Sequence, residues 1–282
     1  MHRNFTLGKP IVTAMALSVL LAIGFVPPAA ADSMSSDNGV TSYEVGTEVS
    51  YIRYEEPDIM DETGVMYGIY AKADANVEGL ALGAEGTINF GQVDYDSAST
   101  GSIDGINDFL AEVRATVGYN LTPDKKVEFT PYIGLGYRYL LDQLGGETST
   151  TGALGYDRES NYLYLPIGIK AETGMDNGWT LGGTVEFDVF LHGWQKSHLE
   201  DAIAGLDTLT NDQDEGYGVR GSIKIAKKMD RVNILVEPFV RYWNIKQSNT
   251  KAVTFGGTPI GVVGYEPKNN SLQVGGRIGV EF

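Results

Sequence analysis

The chain has 282 residues, a net charge of −16 at pH 7 and no cysteine. The acidic balance argues against a nucleic-acid partner, because binding to phosphates requires a surplus of lysine and arginine. Without cysteine the chain has no disulfide framework and no thiol chemistry. It is rich in glycine and tyrosine, with 36 and 16 residues, as is typical of β-barrels with close strand contacts and aromatic girdles.

The first 31 residues predict a secretory signal peptide. A basic start with Arg3 and Lys9 precedes an apolar stretch over residues 11–26, and an Ala-x-Ala cleavage site ends at Ala31. The apolar stretch is shorter than the ~20 residues that a membrane-spanning helix needs. We therefore expect export into the periplasm, a short periplasmic lead-in over residues 32–41 and a single domain over residues 42–282.

The domain is predicted to contain ten strands in which apolar and polar residues alternate. Period-two alternation indicates a strand with two different faces, and ~9–11 residues suffice to cross a bilayer at a tilt. The strands are expected at residues 42–53, 65–74, 80–94, 109–120, 127–141, 162–172, 179–195, 217–227, 232–246 and 270–282. The fold class is therefore all-β, a ten-stranded antiparallel transmembrane β-barrel.

The predicted connections alternate in length. Short ones carry turn residues and cover residues 75–79, 121–126, 173–178 and 228–231. Long polar ones cover residues 54–64, 95–108, 142–161, 196–216 and 247–269. Short periplasmic turns opposite long external loops are typical of outer-membrane barrels. In the fourth long connection Leu199, Ile203 and Leu206 have helical spacing and predict a short helix at the barrel mouth.

The last strand alternates up to the C-terminal aromatic residue, Phe282. A closed barrel must keep this strand paired to its end, because no strand edge can face lipid. The same alternation directs apolar residues outward, for example Val185 in the seventh strand. A soluble β-sandwich or lipocalin-like barrel is the alternative, but such folds keep their apolar side inward and their strands short.

If the apolar residues face lipid, charged residues of both signs face the lumen. The members of this predicted network are Glu48, Lys72, Glu85, Glu112, Arg114, Arg138, Lys170, Glu186, Arg220, Lys224, Glu237, Arg241 and Arg277. A barrel of ~8 strands has an interior that side chains can fill, and ten strands make it only slightly wider. Paired acids and bases would satisfy each other there. The pattern predicts a plugged lumen, with a narrow hydrophilic pore as the alternative.

Four residues are candidates for catalysis. Asp94 and Asp96 flank Tyr95 at the end of the third strand, and Asp188 and His192 lie in the seventh. With ten strands, this pattern resembles the omptin family of outer-membrane proteases, which implies an Asp pair and an Asp-x-His pair activating water across the barrel mouth. Here Asp188 and His192 are four residues apart, ~13 Å along a strand, too far for a direct hydrogen bond. We therefore expect no catalytic site.

The external loops are acidic, and Asp212 and Asp214 form the start of a calcium-loop pattern whose remaining ligands are missing. We expect solvated charges there, with no metal and no cofactor.

In layout the chain resembles the small Gram-negative outer-membrane β-barrel superfamily that includes OmpA-like and Opa/Opc-type surface proteins. The resemblance covers the mature chain from about residue 42 and rests on the alternation and the terminal Phe282 strand. It implies an outer-membrane location among lipid and lipopolysaccharide, and insertion by the barrel-assembly machinery, which reads Phe282. An extracellular ligand would bind through the loops. Three functions remain open: a structural or adhesive surface protein, a small porin-like diffusion channel, and an omptin-like hydrolase.

Overall fold

The computed structural model describes residues 40–122 and 126–282. The predicted signal peptide and residues 32–39 of the lead-in lie outside this part of the chain. The barrel strands are β1 Val40–Glu56, β2 Met60–Val77, β3 Leu80–Ser97, β4 Gly101–Tyr119, β5 Glu128–Gln143, β6 Arg158–Gly174, β7 Trp179–Ser197, β9 Gly216–Lys228, β10 Asn233–Ile245 and β13 Asn269–Glu281. The three accessory strands are β8 Leu209–Gln213, β11 Lys251–Phe255 and β12 Thr258–Gly264.

Ten strands close into one antiparallel barrel, as predicted. Each strand pairs with its neighbours in the chain, β7 pairs with β9 past the accessory strand, and β13 pairs with both β10 and β1. The connections β1–β2, β3–β4, β5–β6, β7–β9 and β10–β13 lie at one end, which we call the mouth end; the opposite end is the terminal end. Over the described residues, no helix is long and apolar enough to cross a membrane.

The closing seam runs from the pair Glu55 and Asn270 to the pair Glu44 and Glu281. One further rung follows at the terminal end. The backbone amide of Tyr43 donates to the carbonyl of Phe282 and the amide of Phe282 donates to the carbonyl of Tyr43, both at 2.9 Å. Their ring centroids lie 6.0 Å apart. Phe282 is therefore part of the closure.

The outer wall carries an exposed apolar band, and the predicted outward faces are confirmed. Val49, Val185 and Ile278 are 48%, 65% and 62% exposed. Towards the mouth the band ends at aromatic and aliphatic residues: Tyr51, Val65, Phe90, Leu163, Leu191, Tyr217, Tyr242 and Leu272. An apolar band bounded by aromatic residues is the surface that a lipid-facing wall requires.

The barrel continues well past this band, which corrects the predicted loop boundaries. Residues 54–64 and 95–108, expected as loops, are mostly paired strand. The β1–β2 pairing reaches the pair Glu56 and Met60, and Asp58 makes the turn with a φ of 67°. Aspartate tolerates this left-handed conformation better than most residues. These strands have polar residues on their outer side because that side lies beyond the apolar band. A polar segment of this chain is therefore not necessarily a loop.

A β-bulge in β7 changes which residues face inward. Leu163 of β6 pairs with His192, but the next residue, Tyr164, pairs with Phe190. Leu191 is therefore the extra residue, and the alternation shifts by one position. Asp188 and Phe190 face the interior, whereas His192 faces outward. Residues four apart in a regular strand share a face, so the bulge is what places Asp188 and His192 on opposite faces.

Two tyrosines fill the interior by lying over glycines of neighbouring strands. Tyr164 pairs with Gly136 and Tyr132 pairs with Gly168 across β5 and β6. A Cβ atom on Gly136 would lie 2.1 Å from the Tyr164 ring, and one on Gly168 would lie 2.4 Å from the Tyr132 ring. No side chain fits at either position, so the glycines make room for inward-facing rings in a narrow barrel.

The predicted helix in the fourth long connection is wrong. A single 3-10 turn, Leu199–Asp201, is followed by β8, which pairs with the mouth end of β7. The spacing of Leu199, Ile203 and Leu206 did not indicate a helix here, because Ile203 is 56% exposed and does not pack against a core. The last connection folds into the β11–β12 hairpin, which lies against the fourth connection through a bridge between Leu206 and Phe255.

Candidate functional site

Arginines and acids of the inner wall form a connected ion-pair network across the barrel. Arg241 donates to both carboxylate oxygens of Glu48 at 3.0 Å, and Arg277 donates to Glu48 at 2.8 Å. Arg277 also donates to Glu85 at 2.7 Å, and Arg114 lies 3.4 Å from the same carboxylate. These contacts join β10, β1, β13, β3 and β4.

The network continues to the opposite wall. Arg114 pairs with Glu186 of β7, whose other oxygen accepts a hydrogen bond from Tyr132 at 2.6 Å. Arg220 of β9 donates to Asp188 and Glu112, each at 2.7 Å. Arg220 also lies 3.3 Å from Glu186, so five acids and four arginines form one connected ion-pair network.

Most of the remaining predicted lumen charges lie nearer the terminal end, whereas Arg138 lies on the mouth side of the network. Lys72 donates to Glu237 at 3.0 Å, Lys224 lies 3.5 Å from Glu44, and Lys170 donates to Asp74 at 3.2 Å. Arg138 is buried, with its guanidinium 5.6 Å from the centre of the Tyr162 ring.

An apolar core fills the lumen on the mouth side of the network. Tyr162, Tyr164, Phe190, Trp243 and Ile245 form one buried cluster. A second cluster adjoins the mouth and contains Ile52, Tyr54, Met60, Met66, Val93, Ile103, Ile106, Leu110, Leu140 and Leu144. The interior of this half of the barrel is therefore packed like the core of a soluble domain.

The four catalytic candidates are not brought together. Asp94 and Asp96 lie on the outside of β3, where Asp94 accepts a hydrogen bond from the Gly105 amide at 2.8 Å. Asp188 is fully buried in the lumen. His192 lies on the outside of β7, 2.9 Å from Asp214. The barrel wall therefore separates Asp188 from Asp94 and Asp96, and also from His192. These four residues form no omptin-like arrangement.

A cavity of about 410 Å³ lies at the mouth, beyond the apolar core. All five mouth-end connections line it: Ile59 belongs to the first, Thr100 to the second, Ala153 to the third, Leu209 to the fourth and Tyr265 to the fifth. Its size is within the range of small-molecule sites, roughly 300–1,000 Å³. The cavity is the candidate functional site of this protein.

The floor of the cavity is a single arginine between two glutamates. Arg158 pairs with Glu56 and donates to Glu266 at 2.6 Å. The Tyr54 hydroxyl donates to Glu266 at 3.0 Å. The backbone amide of Glu266 in turn donates to the Ser248 hydroxyl at 2.7 Å. Burial raises the pKa of Glu266 to about 7, with Arg158 opposing and Glu56 reinforcing the shift.

Three further acids are buried beneath this floor. Asp108 and Asp142 are register partners in β4 and β5, and Asp142 is the register partner of Arg158. Burial raises the pKa of Asp142 to about 6, although the guanidinium groups of Arg158 and Arg138 lower it. Burial, with the neighbouring charge of Asp142, also holds the pKa of Glu62 well above its usual range. Neither carboxylate oxygen of Glu62 has a hydrogen-bond partner within the described residues.

Sequence reasoning missed this acid cluster, because all of its members lie in segments predicted as loops. One signal was present for β1, where the inward alternation of Ser50, Ile52 and Tyr54 continues to Glu56. Glu266 had no such signal, since its position depends on the last connection folding back over the mouth.

Comparison with known proteins bears on the fold. No family model matches the chain, and no curated protein matches it. Among solved structures it is similar to the outer-membrane protease OmpT from Escherichia coli, with 9% identity over 88% of this chain and 97% of that chain, and a TM-score of 0.58. The fold is that of an outer-membrane β-barrel. At this identity the likeness extends to the fold alone.

Two further similar structures have lower scores. The translocator domain of the autotransporter NalP from Neisseria meningitidis has 12% identity over 99% of both chains and a TM-score of 0.40. Neisserial surface protein A has 11% identity over 85% of this chain and 97% of that chain, and a TM-score of 0.29. Scores at this level carry no argument about this barrel.

Proposed function

We propose that the protein is an integral outer-membrane barrel of a Gram-negative bacterium that is closed to ions and acts as a surface-interaction protein through its mouth. The signal sequence would export it through the periplasm, and the barrel-assembly machinery would insert it among lipid and lipopolysaccharide. One observation carries the proposal: the lumen is filled by side chains over most of its length, whereas the mouth holds a cavity.

Two features of the lumen, the ion-pair network and the apolar core, support the proposed closure. An ion crossing the network would have to break buried pairs such as Glu48 with Arg241, whose separation leaves uncompensated charges and costs about 3–5 kcal/mol. It would then meet an apolar core that includes Met66, Leu110 and Leu140, each at most 1% exposed. A transfer of charge into such a core is more costly still.

The two alternatives have less support. A porin-like channel requires a continuous aqueous path, and the packed core interrupts one. An omptin-like hydrolase requires an acid pair and an acid–histidine pair facing one another, but Asp94 and Asp96 lie outside the wall and His192 points away from Asp188.

Conductance in planar bilayers tests the proposal. We expect the purified barrel to insert without producing steady single-channel steps, under conditions in which a general porin conducts. A steady conductance that changes in Glu186→Gln, but not in the adjacent outward variant Val185→Ala, would support the channel instead. The two positions differ by one residue and face opposite sides of β7, which makes them a matched pair.

A further inference from the structure

The mouth cavity has an excess of acid. Glu56 and Glu266 lie on its floor, and Glu62, Asp108 and Asp142 lie beneath them. Within the described residues, the ion pairs that these five carboxyls form are those of Arg158 with Glu56 and with Glu266. Arg158 is already engaged by both floor glutamates, so it offers little to an incoming anion. Burial favours the uncharged form of Glu62 and Asp108, so the excess negative charge at pH 8 is that of the two floor glutamates against one arginine. A positive charge entering the cavity would compensate this excess.

The walls of the cavity suit an apolar cation. Tyr95, Tyr156 and Tyr265 line it, together with aliphatic residues such as Leu144 and Leu199. Tyrosine faces attract ammonium and guanidinium groups, and aromatic cages beside acids are a known way to bind quaternary ammonium. The aliphatic part of the wall would contact the uncharged part of the same molecule.

We propose that the mouth cavity binds a small organic cation, with an ammonium or guanidinium group held over the Glu56–Arg158–Glu266 floor and an apolar body against the tyrosine-lined wall. This inference rests on the proposed function, because it names the class of ligand that the surface barrel takes.

Protons compete with such a ligand. The raised pKa of Glu266, about 7, means that this carboxyl is largely neutral at pH 5 and charged at pH 8. A cation that requires the charged form would therefore bind up to about 100-fold more tightly at pH 8 than at pH 5, if one such group is linked to binding. The titratable groups that interact with Glu266 are Tyr54 and Glu56 of β1, Glu62 of β2, Arg158 and Tyr162 of β6, and Tyr156 of the third connection.

Isothermal titration with benzyltrimethylammonium tests the inference. This probe stays positively charged at every pH and donates no hydrogen bond, so its pH dependence reports the protein groups. We expect saturable binding to the detergent-solubilised barrel at pH 8, weaker binding at pH 5, and no comparable binding of benzyl alcohol or phenylacetate. Equal binding of phenylacetate, or no saturable binding of benzyltrimethylammonium at pH 8, would overturn the inference.

Variants locate the binding. Glu56→Gln should weaken it about tenfold, equivalent to ~1.4 kcal/mol, whereas the control Glu55→Gln removes the same charge from the outside of the same strand and should leave it unchanged. Ala153→Trp fills the cavity without altering charge and should abolish it, which also separates cavity binding from partition into detergent. Equal affinities in the two glutamate variants, or an unaffected Ala153→Trp, would refute the site. If the barrel does not conduct ions and does not bind the probe, this inference is overturned but the proposed function is not.

Discussion

Glu48 holds three strands of the closing seam together, and its loss should be costly. The carboxylate, on β1, accepts two hydrogen bonds from Arg241 of β10 and one from Arg277 of β13, and the residue is 1% exposed. In Glu48→Gln the side chain keeps one acceptor and presents an amide donor to two guanidinium groups. Removing one partner of a buried ion pair costs about 3–5 kcal/mol, because the other charge is left uncompensated, so we expect a destabilisation of about 3 kcal/mol or more.

Urea unfolding in phospholipid vesicles, followed by tryptophan fluorescence, measures this effect. The outward neighbour Val49→Ala is the control and should cost no more than about 1 kcal/mol, because Val49 is about half exposed. A double-mutant cycle with Arg241→Met should give a coupling of about 1–3 kcal/mol. A destabilisation below about 1 kcal/mol for Glu48→Gln, with no coupling to Arg241, would refute the view that the network stabilises the seam.

Three further outcomes are expected. Boiled and unboiled samples should migrate differently on SDS gels, because a closed strand ladder resists the detergent until heated; identical migration would contradict the closed barrel. Deletion of Phe282 should sharply reduce the amount of protein in outer-membrane fractions while secretion into the periplasm continues, and normal membrane levels would argue against its role in assembly. Val185→Arg should destabilise the barrel in lipid by about 2–4 kcal/mol, whereas Val185→Leu should not, and equal effects would place that residue outside the lipid-facing band.

Stability should also depend on pH through Glu266. Its pKa is raised in the folded protein from 4.5 to about 7, so folding favours the protonated form. This group therefore weakens stability as the pH rises from about 4.5 to 7, and its effect is absent below that window. We expect Glu266→Gln to flatten the pH dependence of urea unfolding between pH 5 and 8. An unchanged slope in that variant would show that other groups are responsible.

The barrel itself could be predicted from the sequence because alternation reports the two faces of each strand directly. Val185 and Glu186 show this, since adjacent residues of opposite polarity lie on opposite sides of the wall. The C-terminal strand was equally clear, because its pattern continues to Phe282 without a break. These are local signals, and closing the barrel requires only that each strand pairs with its neighbours.

The mouth could not be predicted for the same physical reason. Above the apolar band the inner face of a strand packs the apolar core and the outer face is polar, so the alternation that marked Val49 and Tyr51 as outward is reversed at Ile52, Arg53, Tyr54 and Glu55. The bulge at Leu191 has no sequence signature of its own, yet it decides where His192 points. The cavity floor depends on contacts between residues far apart in the chain, Arg158 with Glu266.

The last connection is held to the mouth on both sides of its exposed turn, and this arrangement bears on how the surface would withstand proteases. Lys251 donates to Asp212 at 2.7 Å on one side of the β11–β12 hairpin, and Glu266 is bound to Arg158 on the other. Between them the exposed turn contains Gly256 and Gly257, both with positive φ. A cut at that turn would leave each half docked by its own contacts. A nicked barrel would then keep its cavity, and the break would become visible only after denaturation.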